Sequence, residues 1–181
     1  AIDATGQRIW IGQLISAMRQ ADNGLEIAKL ALAPRDSGAT GFDIAGPEAG
    51  FPPSRLQDAF DLLAGEFFPV TVHAGEADGV ESIRSALLDA RALRLGHGVR
   101  IVEDMSVSDD GDTVTVELGT VAKWVLDRGI ALETSPSSNI QTGAIGQDRK
   151  LSDHPFDLLY RLGFSVTVNT DNRLMSQTTL S

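Results

Sequence analysis

Apolar residues fall into two rhythms along the chain. Five short runs, residues 41–46, 69–73, 93–97, 130–134 and 165–169, are rich in β-branched residues and bounded by Gly or Pro. Such runs read as buried strands. Residues 8–14, rich in Ile and Trp, are a sixth candidate. Between the runs the period changes to that of a helix. Leu56, Ala59, Phe60 and Leu63 share one helical face, with Ser54 as N-cap. Ile83, Ala86, Leu87 and Ala90 repeat the pattern, and so do Leu118, Val121, Ala122 and Val125 before Gly129. Glycine suits the position just past a helix end. Asp22 precedes Leu25, Ala28 and Leu32, while Pro155 opens a helix through Phe156, Leu159 and Tyr160.

Strand and helix alternate with a repeat of about 30 residues, the length of a βαβ unit. Two architectures satisfy that alternation, an open doubly wound sheet and a (β/α)8 TIM barrel. Open sheets gather their ligand at one switch point, whereas barrels draw site residues from many strand ends. Here four strands end in chemically capable groups: His73, His97, residues 135–139 and Asp171. A barrel is therefore expected. A whole barrel takes about 250 residues. This chain has 181. The expectation is a single partial (β/α) barrel domain over residues 1–181, with about six of the eight strands and without the N-terminal ones.

Composition narrows the function. A net charge of −10 disfavours a nucleic-acid binder, which concentrates Lys and Arg against phosphates. No run of about 18 apolar residues is present to span a membrane. The absence of Cys removes disulfides, thiolate metal sites and cysteine nucleophiles, and fits a cytoplasmic protein.

The candidate chemistry lies at the strand ends. In Val70-Thr71-Val72-His73-Ala74-Gly75-Glu76, a terminal His enters the barrel mouth, where it can ligate a metal or satisfy a core hydrogen bond. Glu76 in the next loop has the reach of a general acid/base, or of a solvated glutamate. Leu95-Gly96-His97-Gly98 closes the adjacent strand with a second of the chain's three histidines. Asp171, after the last strand, is a hard oxygen donor or a turn residue. His154, beside Pro155, reads as structural or exposed. Asp109, Asp110 and Asp112 around Gly111 lack calcium-loop spacing and read as a solvated turn.

Taken in order, five stretches resemble the adenosine deaminase family of metal-dependent amidohydrolases, with a bacterial flavour. They are Phe42-Asp43-Ile44-Ala45-Gly46-Pro47-Glu48, Thr71-Val72-His73-Ala74-Gly75-Glu76, Leu95-Gly96-His97-Gly98, Ser135-Pro136-Ser137-Ser138-Asn139-Ile140-Gln141-Thr142-Gly143 and Val168-Asn169-Thr170-Asp171. The resemblance implies zinc-dependent hydrolysis of adenosine or deoxyadenosine to inosine or deoxyinosine and ammonia. By position it makes His73 and Asp171 ligands to Zn2+. It makes Glu76 the proton shuttle to purine N1 and His97 the group that orients the attacking hydroxide or stabilises the oxyanion. Gly46 would offer its N–H to purine N3. Asn172 would face N7, where many members carry Asp; an amide donates to that acceptor directly. The cytidine-deaminase type of zinc site needs Cys, and this chain has none.

The family's early His-x-His zinc ligands find no counterpart here. The resemblance therefore implies a C-terminal portion, inactive alone, whose partner is the missing N-terminal segment. Alternatives are a deaminase of adenine, a nucleotide or a modified adenosine, or a non-catalytic purine-binding remnant. Adenosine monophosphate would favour a basic phosphate pocket, and Arg173 alone does not make one.

Overall fold

The computed structural model describes Gly6 and residues 11–180. Six parallel strands form one sheet: β1 (Gln13–Met18), β2 (Ala39–Ala45), β3 (Val70–Ala74), β4 (Arg94–His97), β7 (Ala131–Thr134) and β8 (Val166–Val168). They pair in chain order, β1-β2-β3-β4-β7-β8, with no reversal. That order belongs to a (β/α) barrel rather than a doubly wound sheet, whose order reverses at its switch point. Strands β5 (Met105–Asp109) and β6 (Val114–Leu118) form a separate antiparallel hairpin.

Alternation along the strands gives the sheet two different faces. Phe42, Ile44, Val70, Val72, Leu95 and Leu132 are buried on one face. They share a core with residues of α1 (Gly24–Leu32), α2 (Gln57–Gly65), α3 (Val80–Leu88) and α4 (Thr120–Asp127), among them Ala28, Phe60, Ile83 and Val125. The opposite face is polar. The register aligns Ser16 with Asp43, Asp43 with Thr71, and His73 with Gly96. Three shorter α-helices also occur among the described residues: α5 (Pro136–Gln141), α6 (Phe156–Arg161) and α7 (Arg173–Ser176).

Three local expectations are corrected. The N-terminal strand covers residues 13–18 rather than 8–14, and residues 8–10 lie outside the described ones. Ser54 does not cap α2. It lies inside a 3₁₀ turn, Pro53–Leu56, after Pro52 fixes the entry, and Leu56 stands at the N-cap. Leu118 ends β6 instead of joining α4, because Val114 to Leu118 alternate as a hairpin strand and Gly119 is the extended N-cap before the helix begins at Thr120. The helix does end as its glycine suggests. Gly129 adopts φ 62° and donates to Leu126 O, while Ile130 donates to Val125 O. Asp110, Gly111, Asp112 and Thr113 form the turn of the β5–β6 hairpin, held by the Asp109 and Asp110 carboxylates, which accept from Gly111, Asp112 and Thr113 N–H.

Candidate active site

His73 is the penultimate residue of β3, and its ring is held from two sides. Asp43 on the neighbouring strand is buried, and its Oδ1 lies 2.9 Å from His73 Nδ1. Ser16 Oγ donates to the other Asp43 oxygen at 3.1 Å. Beneath the ring lies Gly96, where a Cβ would come within 3.0 Å of His73 Cγ and Nδ1. The glycine before His97 thus makes room for His73. Burial works against a charged His73, but the hydrogen bond and charge of Asp43 outweigh it, with smaller help from Glu76 and Asp171. Its pKa stands above the ordinary value.

His97 ends β4 with φ 67°, a left-handed conformation rare outside glycine. Its ring centroid is 5.4 Å from that of His73. Its Nε2 lies 3.4 Å from Glu76 Oε2, and its Nδ1 lies 2.9 Å from Asn139 Nδ2. Burial, countered in part by Glu76, lowers the His97 pKa. Glu76 Oε1 accepts from Thr142 Oγ1 at 3.0 Å and from Asn139 Nδ2 at 3.3 Å. Asp171 also adopts a positive φ, 54°, and its Oδ2 accepts from Ser138 Oγ at 2.7 Å. Backbone in such sparsely populated regions concentrates at functional sites.

The loop after β3 is itself fixed. Glu48, 7% exposed, accepts from the backbone N–H groups of Gly75, Glu76, Ala77 and Asp78. Arg19, 1% exposed, leaves the end of β1 to donate to the carbonyls of His73 and Phe51.

Four residues expected at the site, His73, Glu76, His97 and Asp171, come together and feel one another's charge. Gly46 lies at the end of β2 with φ 97°, and a Cβ there would stand 2.6 Å from Gln20 Oε1. Asn172 is the N-cap of α7; its Oδ1 accepts from Leu174 and Met175 N–H. That contact occupies the amide oxygen rather than its N–H donors. His154 is not exposed. It is 7% accessible and reaches Asn139, which joins it to the site. No role was expected for Asp43, Glu48, Arg19 or Thr142, and Asn139 was expected only as one of the capable residues 135–139; all but Arg19 lie in stretches that resemble the family. Among the described residues, no three His, Cys, Asp or Glu gather closely enough to enclose a metal ion.

A family model described as adenosine deaminase matches residues 2–181. The chain belongs to the adenosine deaminase family. It is 53% identical to an adenosine deaminase of Mycobacteroides abscessus over 98% of this chain and 48% of that protein. With adenosine deaminase 1 of Streptomyces coelicolor the identity is 54%, over 97% of this chain and 43% of the relative. The chain spans about half the length of the curated relatives it matches. Among solved members of this fold, the adenine deaminase of Arthrobacter aurescens is 27% identical. It superposes with a TM-score of 0.70, covering 88% of this chain and 44% of its own. The N6-methyl-AMP deaminase of Arabidopsis thaliana is 25% identical, with a TM-score of 0.73 over 95% and 46%.

Proposed function

We propose that the full-length protein carrying this chain is a zinc-dependent adenosine deaminase that converts adenosine or deoxyadenosine to the inosine product and ammonia, in the cytoplasm. The observation that carries the reading is the convergence of His73, Glu76, His97 and Asp171 from the ends of the parallel strands β3, β4 and β8. The residues suit a metal in one specific respect. Asp43 engages His73 Nδ1, which leaves Nε2 as the ligating nitrogen, and ligating histidines ordinarily have such a carboxylate behind them. Asp171 supplies a hard oxygen, and Ser138 orients it. Any further ligands would have to come from outside this chain.

Zinc in such a site lowers the pKa of water to near neutrality, which the weakly electrophilic C6 of adenine requires. Glu76 carries a proton to purine N1 as the ring loses aromaticity. His97 stabilises the oxygen that attacks. The Gly46 N–H meets N3, and the Asn172 amide donates to N7. The cavity of about 680 Å3 beside Glu76 is lined by two cations, Arg149 and Arg100, of which Arg100 is engaged with Glu103 and the Ala77 carbonyl.

The test is direct. The zinc-loaded full-length protein should convert adenosine to inosine, lose activity to a strong chelator, and regain it with zinc. The 181-residue chain alone should bind zinc weakly and show no useful turnover. Robust activity of that isolated chain, or faster turnover of adenine or a nucleotide by the full-length protein, counts against this reading.

A further inference from the structure

Asn139 is fully buried and spends its entire hydrogen-bonding capacity. Its Oδ1 accepts from Ser135 N–H at 3.1 Å and meets His154 Nε2 at 3.2 Å. Its Nδ2 meets His97 Nδ1 at 2.9 Å and Glu76 Oε1 at 3.3 Å. Two partners in this network admit no alternative, because a backbone N–H only donates. The Ser135 N–H identifies which end of the Asn139 amide is oxygen. The Phe156 N–H donates to His154 Nδ1 at 3.1 Å, so the hydrogen of a neutral His154 sits on Nε2 and points at Asn139 Oδ1. With its oxygen committed to that side, Asn139 presents only N–H groups to His97. His97 Nδ1 is then an acceptor, and its ring hydrogen belongs on Nε2, the nitrogen beside Glu76.

We infer that Asn139, locked by Ser135 and His154, is a positioning residue that fixes His97 as a hydrogen-bond donor at Nε2. The inference rests on the deaminase reading for its consequence: His97 donates to an oxygen and does not serve there as a base. His154 acts only through Asn139. No motif reveals the arrangement, since His97, Asn139 and His154 come from β4, α5 and the turn before α6.

The experiment uses the zinc-loaded full-length protein with 15N-labelled histidine. Long-range proton–nitrogen spectra show which ring nitrogen carries hydrogen, and His97 is assigned by its loss in His97→Gln. Wild type should show His97 and His154 both protonated at Nε2. Asn139→Asp keeps the shape but turns a donor into an acceptor. It should move the His97 hydrogen to Nδ1 and lower kcat for adenosine about a hundredfold or more, with KM changed less than about threefold. A wild-type His97 hydrogen on Nδ1 overturns the inference, as does an unchanged His97 pattern in Asn139→Asp, whatever the rate. Should that variant not fold, the wild-type spectrum decides alone. A wild-type protein that turned over no adenosine would count against the deaminase reading, while the ring spectrum, which needs no turnover, would still decide this one.

Discussion

Asp43 Oδ1 stands 2.9 Å from Nδ1 of His73, one parallel strand away. The pairing register makes this contact. Asp43 lies beside Thr71, and His73, two residues further along β3, projects from the same face. A carboxylate behind an imidazole fixes both the ring's direction and the nitrogen left for other work.

Removing that charge should weaken metal binding before it damages the fold. Asp43→Asn keeps an oxygen near His73 but abolishes the negative charge. In the full-length protein, zinc affinity measured against a competing chelator should fall about ten- to a hundredfold. Affinity within threefold of wild type would remove either His73 from the ligands or Asp43 from its support.

Glu76→Gln tests the proton shuttle. Its amide can still meet Thr142 and Asn139, yet it cannot carry a proton. Steady-state kinetics should show kcat reduced by at least about a hundredfold with KM little changed. A loss smaller than tenfold would assign that transfer to another group.

Gly96→Ala tests the packing beneath His73. The new methyl would lie 3.0 Å from the ring and 3.1 Å from His73 Cα, against a side chain that Asp43 does not let swing away. Urea unfolding should show a loss of about 1–3 kcal/mol. The control is Gly65→Ala, near the end of α2 with no atom within 4 Å, which should be neutral or slightly stabilising. Equal outcomes for the two glycines would refute the steric account.

His154 gives acid lability a specific source. Burial pushes its pKa down to about 4. In the unfolded chain a histidine takes up its proton near the ordinary value of about 6.5. Between those values the unfolded state binds more protons, so stability falls on acidification. The contribution of this group is complete above about 6.5 and is lost as pH falls through about 4. Asp61 and Asp110, whose pKa values are lowered from an ordinary 3.8, act only at lower pH. In metal-free protein, His154→Gln should flatten the slope of unfolding free energy between pH 6.5 and 4, the interval set by these pKa values. An unchanged slope would place the lability elsewhere.

Elements buried on one face were legible from their composition. The runs ending at His73 and His97 lie within a residue of the observed strands, because Gly, Pro and polar residues delimit them. Local patterns failed where two elements compete for the same residues. Leu118 fits the helical period of Val121 and Val125 and also the alternation of Val114 and Val116, and the hairpin takes it. At the site, strand-end histidines were visible because a short period placed them. Asp43 was not, since nothing in the spacing of a lone strand aspartate tells of a partner 30 residues away. His154, beside Pro155, read as structural or exposed, with nothing to tie it to the site. The chain between α5 and α6 brings it back onto Asn139, a contact that no periodicity encodes.

The four N–H groups gathered by Glu48 bear on how substrate enters. Loop amides usually exchange with solvent water quickly, but those of residues 75–78 are tied to a buried carboxylate. Their exchange requires an opening that also exposes that charge, which puts them with the slow core strands rather than with the loops. The segment bearing Glu76 is therefore unsuited to be a moving lid. Thr142, exposed and joined to Glu76 by a single hydroxyl, is the easier wall to displace. Of the two segments that meet at Glu76, the loop after β3 is the more firmly tied and the chain that follows α5 the less.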